Sequence, residues 1–288
     1  MGEDNRPSLA GTRAYGVELT EPGVLTVTFR RPKRMNALTQ AMKRDLIELM
    51  TRAQMDDRVR VVVFAGDGGA FCAGDDMAGY GGDTSETVAT VHGSHGTAIG
   101  TAAALRGYSQ ALNLAVRNLD KITLAAIDGP AIQSGLSLAL SCDFRIASTR
   151  ARLGSATLRF ALLPDEGGHA LLVQHLGLAG ALDFILRKKI VSAQAALDLG
   201  LVTEVVAPEE LAERTHELAV ELAEGPQVAM RLVKRSIYNA AELTFAQALE
   251  DIAVRTAISD HHPDARDGGR SFAEKRKPSF NAWLEALK

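Results

Sequence analysis

The chain has 288 residues, 46% of them hydrophobic and 23% charged, with a formal net charge of −3. That length is ample for a large core in one or two domains, and the composition is ordinary for a soluble globular protein. So small a charge excess excludes a global electrostatic case for nucleic acid or an anionic membrane surface. Cys72 and Cys142, the only two cysteines, lie far apart in sequence. They lack metal-ligand spacing and read as small buried apolar thiols, not as a disulfide.

Met1 to Arg13 is polar, lacks the apolar core of a signal peptide and reads as a loose tail of a cytoplasmic protein. No apolar stretch reaches the length of about 18 residues that a membrane span requires. Val24 to Phe29 alternates with period two, as a half-buried strand does, and Leu38, Met42, Leu46, Leu49 and Ala53 recur at helical spacing. Val61 to Ala65 is a continuous apolar run, expected of a strand covered on both faces, and it leads into a glycine-marked turn that ends at Met77. Gly79 to Gly107, rich in Gly, Ser and Thr, reads as a mobile segment. Its His92 and His95 are either solvated or available as metal ligands or general bases.

Ile122 to Ile127 is a second covered strand, followed by the turn Asp128-Gly129-Pro130, then Ala131 to Gly135 and the apolar run Leu136 to Cys142. Phe144 to Ala147 reads as another strand, and Asp165 and Glu166 precede a helical pattern over His169 to Leu176. Ser192 is placed to cap a helix Ala193 to Leu199 that Gly200 stops, and Val202 to Val206 is a last strand. Pro208 and Pro226 each stand where a helix begins, and the remainder is helical. Strand–helix alternation predicts an α/β layered core. These patterns divide the chain into a flexible tail over 1–13, a core over 14–207 and a helical C-terminal domain over 208–288.

Both glycine-marked turns follow an apolar strand and put small residues where a backbone N–H can face a ligand. Two such N–H groups from separate turns make an oxyanion hole, which implies carbonyl chemistry. Arg31-Pro32-Lys33-Arg34-Met35-Asn36-Ala37-Leu38, Ala70 to Met77, Lys121 to Asp143, Gly200-Leu201-Val202 and Glu274 to Pro278 match, in order, signatures of the crotonase superfamily of enoyl-CoA hydratases and isomerases. The resemblance spans roughly residues 15 to 285.

It implies a spiral of ββα repeats with a C-terminal helical region that packs subunits into trimers or paired trimers. It also implies an acyl-CoA thioester substrate, an enolate intermediate and no cofactor beyond the coenzyme A of the substrate. The oxyanion donors would be the N–H groups of Asp75 and Ser134. Ser134 stands where the family prefers glycine, which a β-carbon tolerates only at negative φ. Lys33, Arg34 and Lys275 would meet the CoA phosphates unless they are only solvated surface, and Ala73 and Met77 would line the adenine and pantetheine path. The segment 79–107 would be a lid.

The two glutamates of the hydratases correspond here to Ser137 and Thr157, neither of which is a base at neutral pH. Asp165 or Glu166 instead matches the acid of the enoyl-CoA isomerases: alignment from Pro164 favours Asp165, alignment from Gly167 and Gly168 favours Glu166. Both acids also suit a helix start, where they would only cap. The sequence therefore predicts double-bond isomerisation of the Δ3,Δ2 type. The alternatives are an atypical hydratase or hydrolase and a non-catalytic acyl-CoA-binding protein.

Overall fold

The structure is a computed structural model that describes residues 9–77 and 97–285. His92 and His95 lie outside the described residues. The first elements are β1 (Tyr15–Thr20), β2 (Val24–Phe29), α1 (Gln40–Met55) and β3 (Val61–Gly66), followed by α2 (Ala98–Ala104), α3 (Gln110–Arg117), β4 (Ile122–Ile127) and β5 (Pro130–Ile132). Next come α4 (Ser134–Ser141), β6 (Phe144–Ser148), β7 (Arg152–Gly154), α5 (Gly168–Leu186), β8 (Ile190–Ser192), α6 (Ala193–Asp198) and β9 (Glu204–Val206). The rest is helical: α7 (Leu211–Glu224), α8 (Gln227–Ala240), α9 (Phe245–Asp260), α10 (Pro263–Glu274) and α11 (Ala282–Glu285).

The main sheet runs β1-β2-β3-β4-β6-β9, with an antiparallel β1–β2 pair and parallel pairing elsewhere. A smaller sheet runs β5-β7-β8. The continuous apolar strands are covered on both faces. Val62 and Phe64 share a cluster with Leu46 and Leu49 of α1, while the alternate residues Val61 and Val63 meet Ala219 and Ala223 of α7. Each such leucine contributes about 2 kcal/mol by burial. Thr39 caps α1 by accepting from the Met42 N–H. Ser192 does the same for α6 through Ala195, and Gly200 just beyond that helix takes φ 72.

Some expectations change. The described part of the segment read as mobile, residues 97–107, is helical: Thr97 caps α2, and a π turn over 105–109 joins it to α3. The alanines of Ala98-Ile99-Gly100-Thr101-Ala102-Ala103-Ala104 outweigh the glycine there. α5 has 19 residues and is apolar enough to match a membrane span by length and composition, although the continuous apolar runs in the sequence are shorter. Gly177 (φ 68, ψ 173) breaks it, so neither half approaches the roughly 20 residues a crossing needs.

The two glycine-marked turns are bound to each other by main chain. Cys72 donates to the Pro130 carbonyl and accepts from the Ile132 N–H, both at 2.9 Å. Gly129 (φ 64) and Gly135 make this approach possible, since a β-carbon on them would lie 2.0 Å from the Gly69 carbonyl oxygen and 2.1 Å from that of Cys72. Asn36, fully buried at φ 56, laces a third loop to the pair. Its amide donates to the Asp67 and Ala70 carbonyls, and its oxygen accepts from the Arg31 N–H.

Gly135→Ala is expected to lower unfolding free energy by about 3 kcal/mol, because backbone and not a movable side chain blocks the new methyl. Gly107→Ala, where nothing lies within 4 Å, should be neutral or slightly stabilising. Urea titrations of both variants measure the difference.

Candidate active site

The first hydrogen bond of α4 runs from the Ser137 N–H to the Gln133 carbonyl. The Ser134, Gly135 and Leu136 N–H groups therefore have no partner within the helix. All eight residues of α4 are buried, so its positive N-terminal end acts in a region of low dielectric. The unusual backbone falls on Gln133 (φ 53, ψ −113), while Ser134 keeps the negative φ of a helix. A serine is thus accommodated where the family prefers glycine.

On the other turn, Leu38 donates to the Gly74 carbonyl and accepts from the Asp76 N–H. In that parallel register the Asp75 N–H points to the opposite side, as an oxyanion donor must. Gly74 (φ 106) brings the turns close: a β-carbon there would lie 3.9 Å from the Ser134 nitrogen. The side chains meet as well, for the Ser134 hydroxyl donates to Asp75 Oδ1 at 2.5 Å.

The predicted acids differ in surroundings. Glu166 is 2% exposed. Its Oε2 accepts from the Gln133 amide at 2.9 Å, and no described residue hydrogen-bonds its Oε1. Thr157 donates in turn to the side-chain amide oxygen of Gln133, Oε1, at 3.1 Å. α3 fixes the backbone, with Asn113 donating to the Glu166 carbonyl and Gln110 to that of Asp165, both at 2.9 Å. Burial pushes the Glu166 carboxyl up to about 7, the Asp75 carboxylate adds to the rise, and the nearby Ser134 hydroxyl opposes it. Asp165, half-buried beside it, is also raised, by burial first and then by Asp75. Neither acid caps α5, whose N-cap is Gly167 with no side-chain bond. The arrangement offers two N–H donors to a developing oxyanion and, beside them, a buried carboxyl that titrates near neutrality.

Ser137 and Thr157 bring no carboxylate. Ser137 is buried on α4, its hydroxyl 3.0 Å from where a β-carbon on Gly168 would be. Lys33 and Arg34 are exposed in the short helical turn Pro32–Arg34. The Arg31 guanidinium, bound to the Ala37 carbonyl at 2.5 Å and to Asp76 at 2.6 Å, ties that loop to the turn carrying Ala73 and Met77. Ala73 itself donates to the Met35 carbonyl. Lys275 ends α10, a helix packed on α9, and no hydrogen bond or ion pair among the described residues joins it to this loop. Cys72 and Cys142 are buried thiols raised to about 12, too high for nucleophilic work at neutral pH. Among the described residues no group of His, Cys, Asp and Glu is placed to hold a metal ion.

Sequence reasoning missed Gln133 and Lys43. Lys43 is a buried lysine whose ammonium lies 2.7 Å from Asp75 Oδ1 and donates to the Ser109 hydroxyl at 2.7 Å. Its signal was readable: it shares one face of α1 with Leu46 and Met50, where a charge is out of place. A cavity of about 800 Å³ opens elsewhere, between α8 and the α4–β6 corner, and is not lined by Asp75, Ser134, Gln133, Glu166 or Lys43.

The family description "Enoyl-CoA hydratase/isomerase" matches residues 20–282. The 1,2-epoxyphenylacetyl-CoA isomerase of Escherichia coli is 30% identical over 260 residues, covering 90% of this chain and 95% of that protein. The (E)-benzylidenesuccinyl-CoA hydratase of Thauera aromatica is 30% identical over 258 residues, covering 89% and 95%. The crystal structure of an enoyl-CoA hydratase from Bacillus anthracis superposes with a TM-score of 0.84 at 29% identity, covering 93% of this chain and 98% of the other.

A carboxyl raised by burial binds its proton more tightly in the folded state, so its cost is absent below its unfolded value and grows as pH rises through its folded one. For Glu166 that window runs from 4.5 to about 7. Glu166→Gln keeps an acceptor for Gln133 and is expected to raise stability at pH 8 by up to about 3 kcal/mol. The gain should vanish below pH 4.5, as denaturant titrations across this range would record.

Proposed function

Because the chain belongs to the enoyl-CoA hydratase/isomerase family, we propose that it shifts the double bond of an enoyl-CoA thioester, from 3-enoyl to 2-enoyl, with Glu166 as the proton carrier. The observation that carries this reading is a single buried carboxyl titrating near neutrality, held by the residue that precedes one oxyanion donor. Ser137 and Thr157, meanwhile, leave the two-glutamate route to hydration without its bases. In the proposed cycle ionised Glu166 takes a proton from C2, and the N–H groups of Asp75 and Ser134 hold the dienolate oxygen. Protonated Glu166 then returns the proton to C4. Each N–H donor is worth about 3 kcal/mol in such sites, and a positioned base about 10²–10⁴ in rate. Gln133 keeps the carboxyl aimed, and Asp165 favours the protonated form of its neighbour.

The CoA phosphates fit Lys33, Arg34 and, from a neighbouring subunit, Lys275, with Ala73 and Met77 along the adenine and pantetheine path. Assembly into trimers or paired trimers is supported by apolar side chains left exposed on the helical half and on α5: Ile237 64%, Phe245 80%, Val254 62% and Leu178 68%.

With a 3-enoyl-CoA substrate, kcat/KM is expected to rise with pH through about 7, since the base must be ionised. Glu166→Gln should lose at least about 10²-fold in rate with its fold intact, and Asp165→Asn should lose less. Full activity in Glu166→Gln would end the proposal, and a product heavier by one water would replace isomerisation with hydration.

A further inference from the structure

The residues that donate the two oxyanion N–H groups are also joined through their side chains, and a buried lysine stands behind the junction. Ser134 Oγ lies 2.5 Å from Asp75 Oδ1, and the Lys43 ammonium lies 2.7 Å from the same oxygen. The Lys43 side chain is 4% exposed and that of Asp75 37%, so the ammonium is inside and the carboxylate faces the site. Lys43 also donates to Ser109, which comes from the π turn between α2 and α3. A buried ion pair is a poor source of stability, because an apolar side chain in the same place avoids the desolvation of both charges. Asp75 also meets the one residue of the two turns that departs from the motif pattern, the serine at 134 in place of glycine.

A carboxylate beside the oxyanion hole is chemically awkward. It repels the negative charge that the enolate develops, and it discourages ionisation of the neighbouring base. A cation on the same oxygen cancels both effects. We propose that Lys43 is a positioning residue of this site. Its ammonium neutralises Asp75, so that the carboxylate clasps Ser134 and fixes the two N–H donors without opposing the enolate or suppressing the ionisation of Glu166. This inference rests on the proton-carrier reading of Glu166.

The groups acting on Glu166 come from every side. Asp75 and Cys72 belong to the turn after β3, Asp165 to its own loop, and Ser134 and Gln133 to the start of α4; Lys43, from α1, acts through its contact with Asp75 and its charge on Asp165 and Cys72. Lys43→Met leaves a bare anion, and the Glu166 midpoint should move up by about one unit, in keeping with like-charge effects. Asp75→Asn leaves the ammonium alone and should move it down. The double variant Lys43→Met/Asp75→Asn removes both charges and should restore the midpoint to near the wild-type value. A merely structural lysine would not give that rescue.

The test is a ¹³C-glutamate NMR titration of the full chain, with the Glu166 resonance assigned by its loss in Glu166→Gln. Alongside it, exchange of the α-protons of butyryl-CoA into D₂O is measured for the same variants. Opposite shifts in the single variants and recovery in the double support the proposal, as does at least a tenfold loss of exchange in Lys43→Met. Unmoved midpoints in all variants overturn it, even where exchange depends on Glu166. Midpoints that move as expected in a protein with no Glu166-dependent exchange keep the electrostatic link and remove the proton-carrier reading instead. Should Lys43→Met not fold, Asp75→Asn alone decides: a midpoint that does not fall overturns the proposal.

Discussion

Everything at this site depends on how closely two stretches of backbone approach. Cys72 and Ala131 pair as strands do, although each lies at the edge of a turn. That pairing sets the distance between the chain after β3 and the start of α4. It requires glycine at 129 and 135, since a methyl at either would sit about 2 Å from a carbonyl oxygen (2.0 and 2.1 Å). The main sheet serves the same end. β3 and β4 are adjacent and parallel, so both turns leave the same edge. Coverage of the strands by α1 on one face and α7 on the other makes that edge rigid. Donors on such a frame need no rearrangement when charge develops, and that is why fixed N–H groups act more strongly than water.

The polar part of the site balances two opposing demands. A carboxyl that is to move protons near neutral pH has to be buried, and burial penalises its charge. Glu166 meets the first demand at 2% exposure, and the Gln133 amide and the nearby Ser134 hydroxyl offset part of the second. Its other oxygen has no hydrogen-bond partner among the described residues, which adds to the cost of burial. The unusual conformation of Gln133 belongs to the same balance. At φ 53 it occupies a region that favours glycine, yet glycine would supply neither the amide to Glu166 nor the acceptor to Thr157. Residues held in such conformations cluster where function requires them.

How much of this was legible depended on the range of the interaction. β2, β3 and β4, the Ser192 cap and the Gly200 stop were readable because each is decided by neighbours within a few residues. The helix after Pro208 starts later, at Leu211, because residues 208–210 form a turn of their own, with Glu210 bonding back to the Ala207 N–H. α2 was hidden by the glycine content around it. Within the site, the motif glycines marked the two turns, and Asp165 and Glu166 stood out as acids. Only burial separates that pair, and burial is a property of the whole fold. Gln133 and Lys43 act on partners 33 and 66 residues away, Glu166 and Ser109, and no local pattern encodes such pairings. Lys43 did leave a trace, as a charge on the apolar face of α1.

Several of the matched motif residues turn out to brace the site and not to act in it. Asn36 satisfies carbonyls of the turn that carries Asp75. Arg31 does the same through Asp76 and Ala37. Asp143, last of the long motif that begins at Lys121, accepts from Thr123, Lys234 and Tyr238, and so binds the core to α8. A frame built this way leaves the reacting groups free to vary. The carboxyl need not come from Ser137 or Thr157 so long as some carboxyl reaches the same pocket, and here Gln133 links Thr157 to Glu166 across that space. The same frame therefore suits relatives named as hydratases and as isomerases.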